Sequence, residues 1–298
     1  MEKHSLLIRS AIQTIAGRAI RNIKTGGKRE TRNILEVCQS FASRPQQQDF
    51  WSFLKTFVFS SENQYQALLQ RAACSVRENS LKALAVNLSC NAFSDERELL
   101  CRQAEKVMEN SWIQWLSPAE NMQKSVNDWL KKGVSVFLLN TSEFQPCTDK
   151  LTRLPMQNSR CVFVYVVSDA EMDFSWTEKV AKADNICMLL SPAALDRFAP
   201  WLKKQQLFFG VIRNYEEIQN MQEEKELLQH CIDEGCLMAF YHSTQAIGSE
   251  ALYTGLKQER TKGKLEILLY DLDGDTALIQ DFLLGRQKIA DYITKSPV

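Results

Sequence analysis

Glycine and proline are scarce, at 11 and 7 among 298 residues, about half their usual share in globular proteins. Few residues are given to turns, so regular structure, largely helical, is expected to dominate. Charge of one sign is missing too, because Lys+Arg 36 balances Asp+Glu 36; this excludes a general polyanion binder and gives no nucleic-acid signal. No apolar stretch reaches the roughly 18 residues of a membrane span, and no apolar leader with a cleavage site opens the sequence. The nine cysteines contain no C-x-x-C pair, Cys231 and Cys236 being the nearest, so spacing supplies neither a zinc nor a cluster site. Most thiols sit inside apolar runs such as Cys161-Val-Phe-Val-Tyr-Val-Val. A reduced, cytoplasmic chain is expected.

At 34.2 kDa there is room for one large domain, or for one domain with a smaller companion. Residues 1–32 carry eight basic side chains against Glu2 and Glu30, a local net charge of +6 that the remainder cancels. Ile8, Ile12, Ile15, Ala19 and Ile23 recur at helical spacing ahead of Gly26-Gly27, which predicts a basic amphipathic helix. Its apolar stripe docks on the protein's own body, or the helix, over residues 5–24, makes weak contact with an anionic membrane surface or a partner. The helical pattern continues to about residue 109. Polar breaks at Ser43-Arg44-Pro45 and Ser94-Asp95 interrupt it.

Beyond Ser111 the period changes. Short runs rich in β-branched and aromatic residues, at 112–116, 134–139, 161–167, 186–190, 207–212, 236–241 and 265–270, alternate with amphipathic segments. That pattern predicts βα units around a parallel sheet. Ser117-Pro118-Ala119-Glu120 reads as a capping box with proline at the first helical position, and Gly133 ends that helix. Ser191-Pro192 repeats the start signal, and Gly235 ends a helix begun near Glu217.

In a parallel βα architecture ligands gather where the strands end. Those positions include Asn140 to Glu143, Ser168-Asp169, Ser191, Arg213-Asn214, Tyr241 to Ser243 and Asp271 to Asp275. Ser142, Glu143, Arg213, His242 and Asp271 are the candidate ligand-binding residues, with Arg213 suited to an anion. No catalytic residue and no metal ligand is assigned, since the dinucleotide, phosphate-loop, nucleophile-elbow and zinc-helix signatures are absent. Asp271-Leu-Asp-Gly-Asp-Thr after a strand resembles the haloacid-dehalogenase phosphatase motif. With 23 residues following Asp275, an acidic turn is the preferred reading.

The order of segments from about 62 to 283 resembles the radical S-adenosylmethionine (SAM) superfamily. Ser75 to Asn87 is similar to that family's helical lead-in, and Ser111-Trp-Ile-Gln-Trp-Leu-Ser-Pro to its first strand. Phe137 to Phe144 falls where the family has a strand ending in Gly-Gly-Glu-Pro, and Leu207 through His242 resembles its fifth strand, helix and sixth strand. The resemblance implies a partial TIM-like (β/α) barrel of six or seven mainly parallel strands over 110–298, behind a helical section over 1–109. The family's loop after the first strand holds a four-iron four-sulfur cluster through C-x-x-x-C-x-x-C. Here no cysteine lies between Cys101 and Cys147. Of Gly-Gly-Glu-Pro only Glu143 matches, with Thr141, Ser142 and Phe144 replacing the other three residues. The resemblance therefore implies a non-catalytic pseudoenzyme that needs no cofactor, binds SAM at most residually, and works as the partner or regulator of an active enzyme of the same pathway. The rival expectation is an enzyme or small-molecule sensor whose ligand meets Glu143, Arg213, His242 and Asp271 at the rim.

Overall fold

The computed structural model describes residues 2–26, 28–40, 45–59, 64–93, 112–118, 121–167, 175–243 and 250–283. Seven strands lie within these: β1 (Ile113–Trp115), β2 (Val136–Asn140), β3 (Val162–Val167), β4 (Ile186–Leu190), β5 (Phe209–Asn214), β6 (Met238–His242) and β7 (Leu268–Asp271). They form a single sheet in sequential order, and every neighbouring pair is parallel. Helices α6 (Met122–Lys131), α7 (Thr148–Gln157), α8 (Ser175–Val180), α9 (Pro192–Lys204), α10 (Met221–Asp233) and α11 (Glu250–Lys262) connect them, and α12 (Gly274–Leu283) follows β7. Right-handed crossovers between sequential parallel strands place the connecting helices on one side, and the sheet curls into a half-barrel. All seven expected strands are present, each within three residues of its expected limits.

Burial on both faces explains why these strands read as unbroken apolar runs. Phe137, Leu139, Phe163, Tyr165, Met188, Val211 and Tyr241 pack against the helix layer. The alternate residues Val136, Leu138, Val162, Val164, Leu189, Ile212 and Met238 line the concave face. Between β5 and β6 the concave side demands glycine: a Cβ on Gly210 would stand 2.0 Å from the Met238 carbonyl oxygen.

Gly133 (φ 87°) and Gly235 (φ 86°) end α6 and α10 in the left-handed region, where glycine avoids the Cβ penalty. Ser191 stands at the N-cap position of α9 with Pro192 as its first residue, as expected, though its side chain makes no cap hydrogen bond. The expected capping box is displaced. α6 starts at Met122, with Asn121 Oδ1 accepting from Lys124 N at 3.0 Å, and Ser117-Pro118 belongs to the connection before it. An asparagine cap satisfies the same orphan N–H. Ala119 and Glu120 lie outside the described residues. α10 likewise begins at Met221 rather than near Glu217. Asn220 caps it, and Tyr215–Glu217 forms a separate 3-10 turn.

The front section is helical, as expected: α1 (Glu2–Gly26), α2 (Lys28–Ser40), α3 (Pro45–Val58), α4 (Tyr65–Ser75) and α5 (Glu78–Phe93). Of the two expected breaks, Pro45 opens α3, while Ser43, Arg44, Ser94 and Asp95 are outside the described residues. α1 lies against α5, α2 and α4, with Ala19 and Ile20 buried and Ile12, Ile15 and Ile23 half-buried, so the helix packs on the protein's own body. Arg9 donates to Asn87 Oδ1, and Arg21 pairs with Glu78 at 2.7 Å.

α4 and α5 close the amino-terminal end of the half-barrel through backbone groups there that need partners. Arg71 donates to the carbonyls of Ile232 and Cys236, both at 2.9 Å, and to that of Glu266. Asn87 Nδ2 donates to Ser159 O at 2.9 Å and Cys161 O at 3.0 Å. Gln64 N reaches Gly263 O, and Arg77 N reaches Gln206 O. Leu84 joins the concave cluster from below. No helix among the described residues is long and apolar enough to cross a membrane.

Candidate functional site

The side-chain alternation of a strand decides which rim residues can meet. Arg213, Tyr241 and Asp271 occupy one register row, and Asn214 and His242 the next. Tyr241 belongs to the helix-facing cluster, so Arg213 and Asp271 share that face. Met238 and Phe240 pack with the concave cluster, which places His242 on the concave side. Trp115, in register with Leu138, shares that side, and its ring centroid lies 6.3 Å from that of His242. Ser142 and Glu143 lie in the 3-10 turn after β2. There Asn140 accepts from Ser142 Oγ at 2.9 Å and donates to Glu143 at 3.4 Å. Both Ser142 and Glu143 are exposed.

The five candidate residues thus form three separate groups. No hydrogen bond or ion pair among the described residues joins the Ser142–Glu143 turn, Arg213, His242 and Asp271 to one another. Ser168 and Asp169 lie outside the described residues.

On the helix face the polar residues form a buried network. Arg213 holds Glu217 at 2.9 Å and Glu224 at 3.3 Å, and Tyr241 donates to the other Glu224 oxygen at 2.7 Å. Tyr215 stacks on Tyr241 with centroids 5.8 Å apart and donates to Asp271 Oδ2. Asp271 Oδ1 accepts from the backbone N–H groups of Asp273 and Gly274. Burial pushes the Asp271 carboxyl up to about 6, with the neighbouring Asp275 and Asp273 charges adding to it against hydrogen bonds from Tyr215 and Gly274. Burial likewise raises Tyr215 and Tyr241 above the ordinary phenol range.

The network also seals the last edge of the sheet. β7 joins β6 through Leu268 N and Leu272 N, which leaves Leu269 and Asp271 backbone groups facing outward. Asp275 Oδ2 accepts from Asp271 N at 2.8 Å, and Arg260 Nη1 reaches Leu269 O at 3.5 Å. Arg260 and Asp275 are themselves a buried ion pair, and Tyr253 donates to Asp275 at 3.2 Å. Two of the backbone groups that an eighth strand would use, Asp271 N and Leu269 O, are therefore already bonded.

Sequence reasoning missed Glu224 and Arg260, and read Asp275 only as part of an acidic turn. Their signal was periodicity: Glu224 falls on the buried stripe of Leu228 and Cys231, and Arg260 on that of Tyr253 and Leu256. Lys257, on the same stripe, has a buried Nζ without a hydrogen-bond partner, and burial lowers its pKa.

The connection from Leu116 to Asn121 contains no thiol, Thr141 Oγ1 is tied to Val166 O at 2.8 Å, and side chains stand where close backbone approach would require glycine. No group of three or more His, Cys, Asp or Glu among the described residues is arranged to hold a metal ion. No family model, curated protein or solved structure matches this chain.

Proposed function

We propose that this chain is a non-catalytic half-barrel, similar to the radical SAM barrels in its order of segments, that acts by binding another protein. An active enzyme of the same pathway is the partner to which the resemblance points. One observation carries the reading: Arg213 and Asp271, the two rim residues best suited to ligand charge, turn toward the helices and fasten α10 and α12 to the strand ends. A barrel retains its packing after its rim has lost the groups that carry chemistry. The test is reciprocal affinity capture of the full chain from its source cells, followed by assay of the captured enzyme with and without the chain. A stoichiometric complex and altered turnover are expected; turnover by the purified chain alone would overturn the reading.

A second reading rests on the concave mouth. Trp115 and His242 meet there, and the buried Asn214 Oδ1 beside them has no partner. A small molecule entering this mouth would raise stability by about 2.7 kcal/mol at 100 times its dissociation constant. Melting against a metabolite and nucleotide panel distinguishes the two readings, since partner binding predicts no shift.

A further inference from the structure

The sequence concentrates its basic residues at the start, and the fold turns a set of them outward. Arg18, Arg21 and Lys24 of α1 and Arg29 and Arg32 of α2 are all exposed. Arg21 has a carboxylate partner in Glu78, and the Arg32 guanidinium lies 5.1 Å from the centre of the Phe59 ring. Arg18, Lys24 and Arg29 make no ion pair among the described residues. Over residues 18–32 a neutral chain thus exposes five basic side chains, three of them without an ion pair among the described residues.

We propose that this α1–α2 face is the docking surface for an acidic region of a partner protein. Ala19 and Ile20 of α1 are buried, and α1 lies against α5, α2 and α4, so part of its apolar surface is committed to the protein's own body and withheld from a bilayer. Four of the five cations are arginines, whose planar forks grip carboxylates in pairs. α1 also lies on the closed, amino-terminal side of the half-barrel, linked by Arg9 and Asn87 to the entry of β3. Docking there leaves the strand-end rim uncovered. This inference deepens the partner-binding reading by naming the face and the chemistry it meets.

The test uses the full chain and a fluorescent poly-L-glutamate peptide, titrated at low and physiological salt. The variant R18E/K24E/R29E reverses three charges that make no ion pair among the described residues. K124E/K182E/K204E reverses three exposed charges elsewhere and has the same net charge. Binding that weakens with salt and falls at least roughly ten-fold in the first variant alone is expected. Equal loss in both variants, or no binding by the parent, would overturn the proposal. Tighter binding to vesicles containing phosphatidylserine than to the peptide would replace the protein partner with a membrane surface. Matching thermal melts of the three proteins establish that folding is intact. Failure here refutes this face and leaves the partner-binding reading to its own capture and turnover test.

Discussion

The rings of Trp115 on β1 and His242 on β6 meet across the concave side, with centroids 6.3 Å apart and planes inclined by 58°. These strands are far apart in the sheet order, so the contact exists because the sheet curls. Truncating Trp115 removes a ring that bridges the two ends of the half-barrel. Trp115→Ala is expected to cost about 1 kcal/mol, modest because the side chain is 42% exposed. Chemical denaturation of the parent and variant measures it.

The closed end depends on Arg71. Arg71→Met leaves the carbonyls of Ile232, Cys236 and Glu266 without their donor, at an expected cost of about 3 kcal/mol. Arg71→Lys recovers only part of this, since an ammonium cannot reach carbonyls spread around a planar fork. A midpoint for Lys equal to that of the parent in urea unfolding would contradict the role.

At the β7 edge, Asp275→Ala strands a buried guanidinium and unpairs the Asp271 N–H. A loss of about 3–5 kcal/mol is expected. Hydrogen exchange of the Asp271 amide should accelerate with it, and an unchanged rate would show that Asp275 does not cap this edge.

The Asp271 carboxyl, held near 6 in the fold against 3.8 as its ordinary value, makes stability pH-dependent. The folded state holds the extra proton between those values, so this contribution is present at low pH and is lost as pH rises from about 4 to 6. Its full size is about 3 kcal/mol at most. Asp271→Asn should flatten this part of the stability profile, and an unaltered slope would count against the assignment.

Gly210→Ala should drive β5 from β6, because the new methyl would collide with the Met238 backbone. A cost of at least about 3 kcal/mol is expected, read as a lowered melting temperature or loss of the folded protein. Met238→Ala would not relieve it, since the nearest clash is with a carbonyl oxygen.

Much of the fold was legible in the sequence because parallel strands buried on two faces leave apolar runs that differ sharply from amphipathic helices. Val162 to Val167 and Ile186 to Leu190 are examples, and Gly133 and Gly235 marked helix ends through their backbone freedom. The α6 start was not legible, since Ser117-Pro118 and Asn121 both carry cap chemistry and only the path of the chain chooses between them. The rim was harder still. Arg213 and Asn214 are neighbours in sequence, yet a strand sends them to opposite faces. Asn87, in the run Leu84-Ala-Val-Asn-Leu, carried a hint of its buried role, but its carbonyl partners are more than 70 residues away.

The proposed function requires a half-barrel without cluster-based chemistry that acts through binding. Anaerobic reconstitution of the full chain with iron and sulfide, followed by SAM titration of the same sample, tests it most directly. No stoichiometric iron, no cluster absorbance and no saturable SAM binding are expected. A stoichiometric four-iron four-sulfur cluster that binds and cleaves SAM would contradict it, and would mean that cysteines distant in sequence converge to hold iron.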